Sequence, residues 1–255
     1  MRIIDLSTAI QADLESDAPH QAPKIEYRSH KDNLANMAKQ FGLSPEEMPD
    51  GVGWATEVIT LTTHTGCHMD APWHYYPTMN HGEPARTIDQ VPLEYCFQDG
   101  VHLNFSDRDP SIPLTSEDIK EELKRIGYTL KPLDIVLVES GAAPFFHTSE
   151  YRSKGAGFNS EATVWLMDQG IKVVGTDSFT WDIPFKLAGE NYRKDPVKED
   201  LWQGHRAGKF GEYYQMEKLT NLDQLPGYGF KVACFPVNVK GASAAWTRAV
   251  AIFDD

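Results

Sequence analysis

Four side chains of the types that bind divalent cations fall within eleven residues of this chain. They are His64, His68, Asp70 and His74, in the run His64-Thr65-Gly66-Cys67-His68-Met69-Asp70-Ala71-Pro72-Trp73-His74. Imidazole nitrogen and carboxylate oxygen suit divalent transition metals, and a site with three protein ligands keeps a position open for water. Such a cluster therefore offers catalysis as well as binding. Clustered histidines also occur as surface decoration or as core residues bonded to backbone, but here Gly66 permits a sharp turn and Pro72 stops a helix. A turn of that kind points His64, His68 and Asp70 at one centre. Segment 57–63 before it is rich in β-branched residues and reads as a strand, which puts His64 at a strand end.

The elements that must position this cluster read as one α/β domain over residues 1–255, because no Gly-, Ser- or Pro-rich linker, repeat or low-complexity block divides the chain. Residues 3–6 form a short apolar entry strand. Residues 8–53 are polar and Pro-containing, helical only around 33–41, the pattern of a covering arm or lid. Thr115-Ser116-Glu117-Asp118 opens a helix that runs to Ile126 and ends at Gly127. Residues 134–139 are a buried strand by their continuous apolar run. Ser160 is expected to cap a second helix that Gly170 ends, followed by a strand over 171–175. Strand, helix, strand implies a partly parallel sheet, whereas 230–239 and 245–253, with no room for a crossover between them, are expected to pair antiparallel. The expected fold is a mixed sheet with flanking helices.

Composition narrows the partners. With 41% hydrophobic residues, twelve Phe, ten Tyr and six Trp, the chain has ample material for a globular core. Its net charge of −13, with no Lys/Arg cluster, argues against nucleic acid and against an anionic membrane surface. No apolar run approaches the ~20 residues that span a bilayer, and the start lacks a signal-peptide pattern, so a cytoplasmic protein is expected. Three dispersed cysteines, with no Cys-x-x-Cys pair, make no disulfide framework; Cys96 and Cys234 read as small buried hydrophobes.

The run 64–74, taken with His205 and, twelve positions on, Glu217, resembles the cyclase-type metal-dependent hydrolases, a family that includes bacterial kynurenine formamidase and isatin hydrolase. The resemblance extends to Ile4-Asp5-Leu6-Ser7, Thr115-Ser116-Glu117-Asp118, Asp134-Ile135-Val136-Leu137, Val174-Gly175-Thr176-Asp177 and the closing segment 237–252, nearly the whole chain. It implies the family's swivelling β/β/α fold. The family's run reads His-x-Gly-Thr-His-x-Asp-x-Pro-x-His; here Cys67 stands where Thr is usual, which keeps the ligands and removes a hydroxyl.

The resemblance further implies that His64, His68 and Asp70 hold one metal, and that Asp70, His205 and Glu217 hold a second in relatives that bind two. Zinc and manganese both suit this donor set. His74 then corresponds to the catalytic histidine, a general acid/base. The implied reaction is hydrolysis of an amide, formamide or lactam C–N bond in a small molecule. Cyclisation or dehydration of a carbonyl-rich substrate is the alternative, and a non-catalytic metal-binding protein a third reading. A homo-oligomer, dimer or tetramer, is implied too. Asp177 and Asp182 stand where α/β sheets present functional side chains, but are left outside the catalytic set because they equally suit loop bracing. Residues 183–204 are read as a lid; Trp73, Phe179, Trp181 and Trp202 are candidate pocket walls, and His81 a surface residue.

Overall fold

The computed structural model describes residues 1–196 and 201–254. Its strands are β1 (Arg2–Asp5), β2 (Lys24–Arg28), β3 (Thr56–Thr60), β4 (His68–Asp70), β5 (Thr78–Met79), β6 (Glu83–Pro84), β7 (Phe97–Asn104), β8 (Ile135–Glu139), β9 (Val173–Thr176), β10 (Tyr214–Glu217), β11 (Phe230–Ala233), β12 (Ala244–Trp246) and β13 (Val250–Phe253). The helices are α1 (Leu34–Phe41), α2 (Pro72–Tyr75), α3 (Ser116–Ile126), α4 (Ser160–Asp168), α5 (Phe185–Lys194) and α6 (Gln203–Arg206). Nine strands join in one mixed sheet of order β1-β13-β11-β7-β8-β9-β10-β4-β12. The central run β7, β8, β9, β10 is parallel, with α3 and α4 as crossovers, and the outer pairs are antiparallel.

The sheet curls until each edge meets non-neighbouring chain: after β1, Leu6 O accepts from Thr220 N–H at 2.9 Å beyond β10, and in β12, Trp246 O accepts from Val237 N–H at 2.9 Å beyond β11. Curling leaves apolar material on both faces, and β8 shows why a continuous apolar run was required. Its Ile135 and Leu137 pack inside the curl with Leu6, Met69 and Met216. Its Val136 and Val138 pack outside, under Ile119, Leu123 and Leu166 of α3 and α4.

Helix α3 begins and ends as its sequence requires: Thr115 and Asp118 form a reciprocal capping box, and Gly127 closes it at φ 70°. Three expectations need correction. Helix α4 is capped by Asn159, whose side chain accepts from Ala162 N–H, because Ser160 already lies inside the helix. Strand β3 ends at Thr60 and stays outside the main sheet, pairing with β2 of the arm. Segment 245–253 is two strands: the chain bends at 247–249, so β12 joins β4 at one edge while β13 pairs antiparallel with β11 and β1 near the other.

Gly157 allows the strap before α4 to lie against the chain at Asp182 and Ile183, whose backbone atoms occupy the place of a Cβ. Gly157→Ala should therefore cost about 3 kcal/mol by overpacking, a fall in Tm of roughly 6–12 °C for a chain of this size. Gly189, inside α5 with open space where its Cβ would be, should respond oppositely. Gly189→Ala should raise stability by about 0.5–1 kcal/mol. Thermal melts of the two variants check both signs.

Candidate metal centre

Strand alternation builds the site. In β4, Met69 joins the inner core and His68 and Asp70 point the other way; in β10, Tyr214 and Met216 join that core and Gln215 and Glu217 point the other way. The antiparallel register sets Gln215 opposite Asp70 and Glu217 opposite His68, so four polar side chains share one patch of sheet. Cys67, one residue before β4, is on the core side, packed among apolar residues, and burial pushes its thiol up to about 12. It is therefore not turned towards the cluster.

The turn after β3 adds His64, and the short helix α2, opened by Pro72, adds His74. His64 thus sits in a turn rather than at the strand end the sequence suggested, and Gly66 takes φ 66° just after it. His64 Nδ1 is 2.9 Å from Asp70 Oδ1, His68 Nε2 is 3.3 Å from the same oxygen, and His74 Nε2 is 3.8 Å from Asp70 Oδ2. His205, from α6, brings Nε2 to 3.8 Å from Asp70 Oδ2 and 3.5 Å from Glu217 Oε1. All six residues expected from the sequence converge here. Two trios hold ligand atoms mutually within 4.8 Å: His64, Asp70 and His74, and His68, Asp70 and Glu217.

The centre of the cluster is buried, and burial competes with neighbouring charges in setting its titration. His68 and Asp70 are fully buried, His205 and Glu217 nearly so. Burial alone would raise Asp70, but the imidazoles of His74, His68 and His64 hold it well below the carboxylate range. Glu217 is raised, by burial and by the charge of Asp70. Burial lowers His74 to about 4. It works against His205 as well, yet Asp182, Asp70 and Glu217 outweigh it and raise that ring to about 10.

Several ligand-type atoms are aimed by groups behind them. His68 Nδ1–H donates to Gly66 O at 2.9 Å, leaving the Nε2 lone pair to face the centre. His68 Nε2 and Asp70 Oδ1 are both buried without a hydrogen-bond partner. Orphaned buried acceptors are costly, and a divalent cation is the kind of group that satisfies both, so the donor set fits one.

Asp182 and Asp177, left outside the catalytic set by the sequence reading, and Gln215 and Lys218, which that reading did not mark, surround the cluster. Asp182 accepts from His205 Nδ1–H and from the backbone N–H groups of Gly204 and His205, which makes it the positioning residue of His205. Its signal was its place just beyond a parallel strand. Asp177 instead accepts from the backbone of Ser140 and Ala143, bracing its loop. Gln215 Nε2 lies 2.6 Å from His205 Nε2, 3.0 Å from Glu217 Oε1 and 3.3 Å from Asp70 Oδ2. Lys218, buried and at φ 60°, donates to His64 O at 3.0 Å and lies 3.6 Å from Asp17 Oδ1. Asp17 belongs to the arm, whose Gln21 O accepts from Thr65 Oγ1–H at 2.6 Å, so the arm does cover the cluster.

A cavity of about 330 Å³ opens on the cluster, walled by Phe179, Phe185 and Trp202 and by the arm's His20 and Gln21. Trp202 stacks on His205 at 4.4 Å and meets His74 edge-on at 5.4 Å. Two expected walls lie elsewhere: Trp181 is a core residue stacked on Phe158, its backbone N–H donating to Glu217 Oε1, and Trp73 is half exposed away from the cavity. Segment 183–204 contributes Phe185 and Trp202, while its residues 197–200 lie outside the described residues. His81 is exposed, as expected.

A curled mixed sheet carrying a buried, histidine-rich carboxylate cluster defines an α/β protein with a metal-type site. The chain belongs to the cyclase family, whose sequence model, described as "Putative cyclase", matches residues 4–183. It is 24% identical over 192 residues to a kynurenine formamidase of Erythrobacter litoralis, a match covering 75% of this chain and 74% of that protein. Among solved structures it resembles isatin hydrolase A from Ralstonia solanacearum, with TM-score 0.77 and 20% identity over 99% of this chain and 92% of that one. It also resembles a protein described as a predicted metal-dependent hydrolase, from Bacillus stearothermophilus, with TM-score 0.62 and 17% identity over 98% and 97% of the two chains.

If Asp182 orients His205 as a ligand, Asp182→Asn should weaken metal retention about 10–100-fold. Competition with a chromophoric chelator measures this, and Asp177→Asn, which alters only the loop brace, should leave retention near wild type.

Proposed function

We propose that this chain is a metal-dependent hydrolase that cleaves a small-molecule amide, formamide or lactam C–N bond, acting as one cyclase-like domain over residues 1–255. The observation that carries the reading is the pair of buried acceptors without partners, His68 Nε2 and Asp70 Oδ1, set behind His64 and Glu217, which line a cavity that Phe179, Phe185 and Trp202 also wall. The kynurenine formamidase and isatin hydrolase relatives support the choice of C–N bond. His64, His68 and Asp70 would hold one divalent ion, zinc or manganese, and Asp70, His205 and Glu217 a second. Such an ion supplies Lewis acidity to a carbonyl oxygen and makes water acidic enough to attack at neutral pH.

The chain's own residues do the rest. His74 reaches the cavity with its ring 4.1 Å from that of His64, where Nε2 takes a proton from the attacking water and returns it to the leaving nitrogen. Trp202, Phe179 and Phe185 exclude bulk water, and the arm closes the remaining side. Three unpaired, buried cysteines suit a reducing cytoplasm. Among the described residues no helix is long and apolar enough to cross a membrane.

His74→Ala should keep its metal by elemental analysis and lose about 10²–10⁴-fold in turnover on an amide, formamide and lactam panel. Retained turnover would remove His74 from the chemistry. Reaction in ¹⁸O-water should place solvent oxygen in the product acid; an unlabelled product would favour cyclisation or dehydration.

We further propose a homo-oligomer assembled through the β2–β3 ribbon, which exposes Tyr27 and Ile59 on one face. Light scattering should give a dimer or tetramer for the wild type and a smaller species for Tyr27→Asp/Ile59→Asp. A wild-type monomer would refute the assembly.

A further inference from the structure

The cavity over the cluster does not end at its aromatic walls. A second chamber of about 520 Å³ adjoins it, and the two share His20, Gln21, Phe179 and Phe185 as common wall. The outer chamber differs from the inner one in charge. Its cations are Arg152 and Lys186, both exposed, and its one carboxylate, Glu150, already pairs with Lys154 at 3.2 Å. The neighbouring carboxylate of Asp17 is buried beside Lys218. Among the described residues neither Arg152 nor Lys186 forms an ion pair. Asp17 feels the charge of Arg152 from a distance, but Lys218 stands closer to it, so on a chain of net charge −13 the chamber keeps an excess of cations over carboxylates, which favours an anion there. Phe179 and Phe185, meeting edge-on at 6.3 Å, form an apolar sill between the chambers, and Gln21 Oε1 is a buried acceptor without a donor in the wall they share.

We propose that the substrate carries an anionic group remote from its scissile amide, received by Arg152 and Lys186 while an aromatic or apolar spacer crosses the Phe179–Phe185 sill. This assignment rests on the amide-hydrolase reading for the inner chamber; the outer chamber's preference for anions stands on its own residues. The pair acts in specificity, through ground-state capture and steering, and takes no part in bond cleavage.

The test uses the metal-loaded full chain and two matched amides, 4-formamidobenzenesulfonate and 4-methylformanilide. A sulfonate is a weak ligand for divalent cations, so a preference for it reports the outer chamber rather than the metals. The wild type should favour the sulfonate in kcat/KM, chiefly through KM, and the preference should fall as salt is added. In Arg152→Ala/Lys186→Ala the ratio of the two kcat/KM values should drop about tenfold, as expected for two partly screened ion pairs. Lys120→Ala, which removes a cation from α3, should leave the ratio unchanged. A wild-type preference for the neutral amide, or a ratio untouched by the double variant, overturns the proposal.

Calorimetric binding of 4-methylbenzenesulfonate separates the two readings. Loss of binding in the double variant supports the anion chamber even if neither amide is turned over, a result that would sink the hydrolase reading alone. Binding equal in wild type and double variant overturns the chamber while leaving the hydrolase reading intact.

Discussion

The site depends on the register of one antiparallel strand pair. Because side chains alternate along β4 and β10, a register that puts Glu217 opposite His68 and Gln215 opposite Asp70 gathers four polar groups on one face and sends Met69, Tyr214 and Met216 to the core on the other. A slip of one residue in β4 would drive His68 and Asp70 into the hydrocarbon interior and expose Met69, and a slip in β10 would do the same to Gln215 and Glu217 and expose Tyr214 and Met216. The apolar partners of the two strands therefore guard the polar ones. Everything added later, His64 from a turn, His74 from α2 and His205 from α6, is aimed at a patch the sheet has already defined.

Burying several ionisable groups together is expensive, and the fold meets the cost by pairing most of their atoms from behind. Gly66 O accepts from His68 Nδ1–H, Asp182 accepts from His205 Nδ1–H, Trp181 N–H donates to Glu217, and Lys218 ties the turn at His64 to Asp17 of the arm. Breaking one side of such a buried pair typically costs about 3–5 kcal/mol. What these supports do not satisfy is turned inward, towards a common centre. That residue of unmet bonding is the physical content of the metal-site reading, and the same Lys218 contact explains how the arm covers the cluster.

Much of this was legible in the sequence where local chemistry decides structure. The Thr115 capping box, the Gly127 terminus, the buried run 135–138 and the ligand run 64–74 each carry their cause within a few residues. His205 and Glu217 came only from family resemblance, since nothing near them in the chain marks them as ligands. Asp182 was noticed by its position but given no role, and Gln215 and Lys218 were not found, because their roles depend on what the sheet brings beside them: Asp182 matters through His205, and Lys218 through an arm some two hundred residues earlier. The split of 245–253 was hidden for a similar reason, as Thr247-Arg248-Ala249 contains no breaker, and only the different partners of β12 and β13 separate the two strands.

The central claim is that the β4–β10 patch with His64 and His205 forms a metal centre. Anomalous diffraction recorded at the zinc or manganese edge from crystals of metal-loaded protein addresses it most directly. The account predicts a peak bonded to His68 Nε2 and Asp70, with His64 or Glu217 completing the contacts. A metal-loaded crystal with no peak at that patch, or with its ion bound elsewhere on the chain, would contradict it.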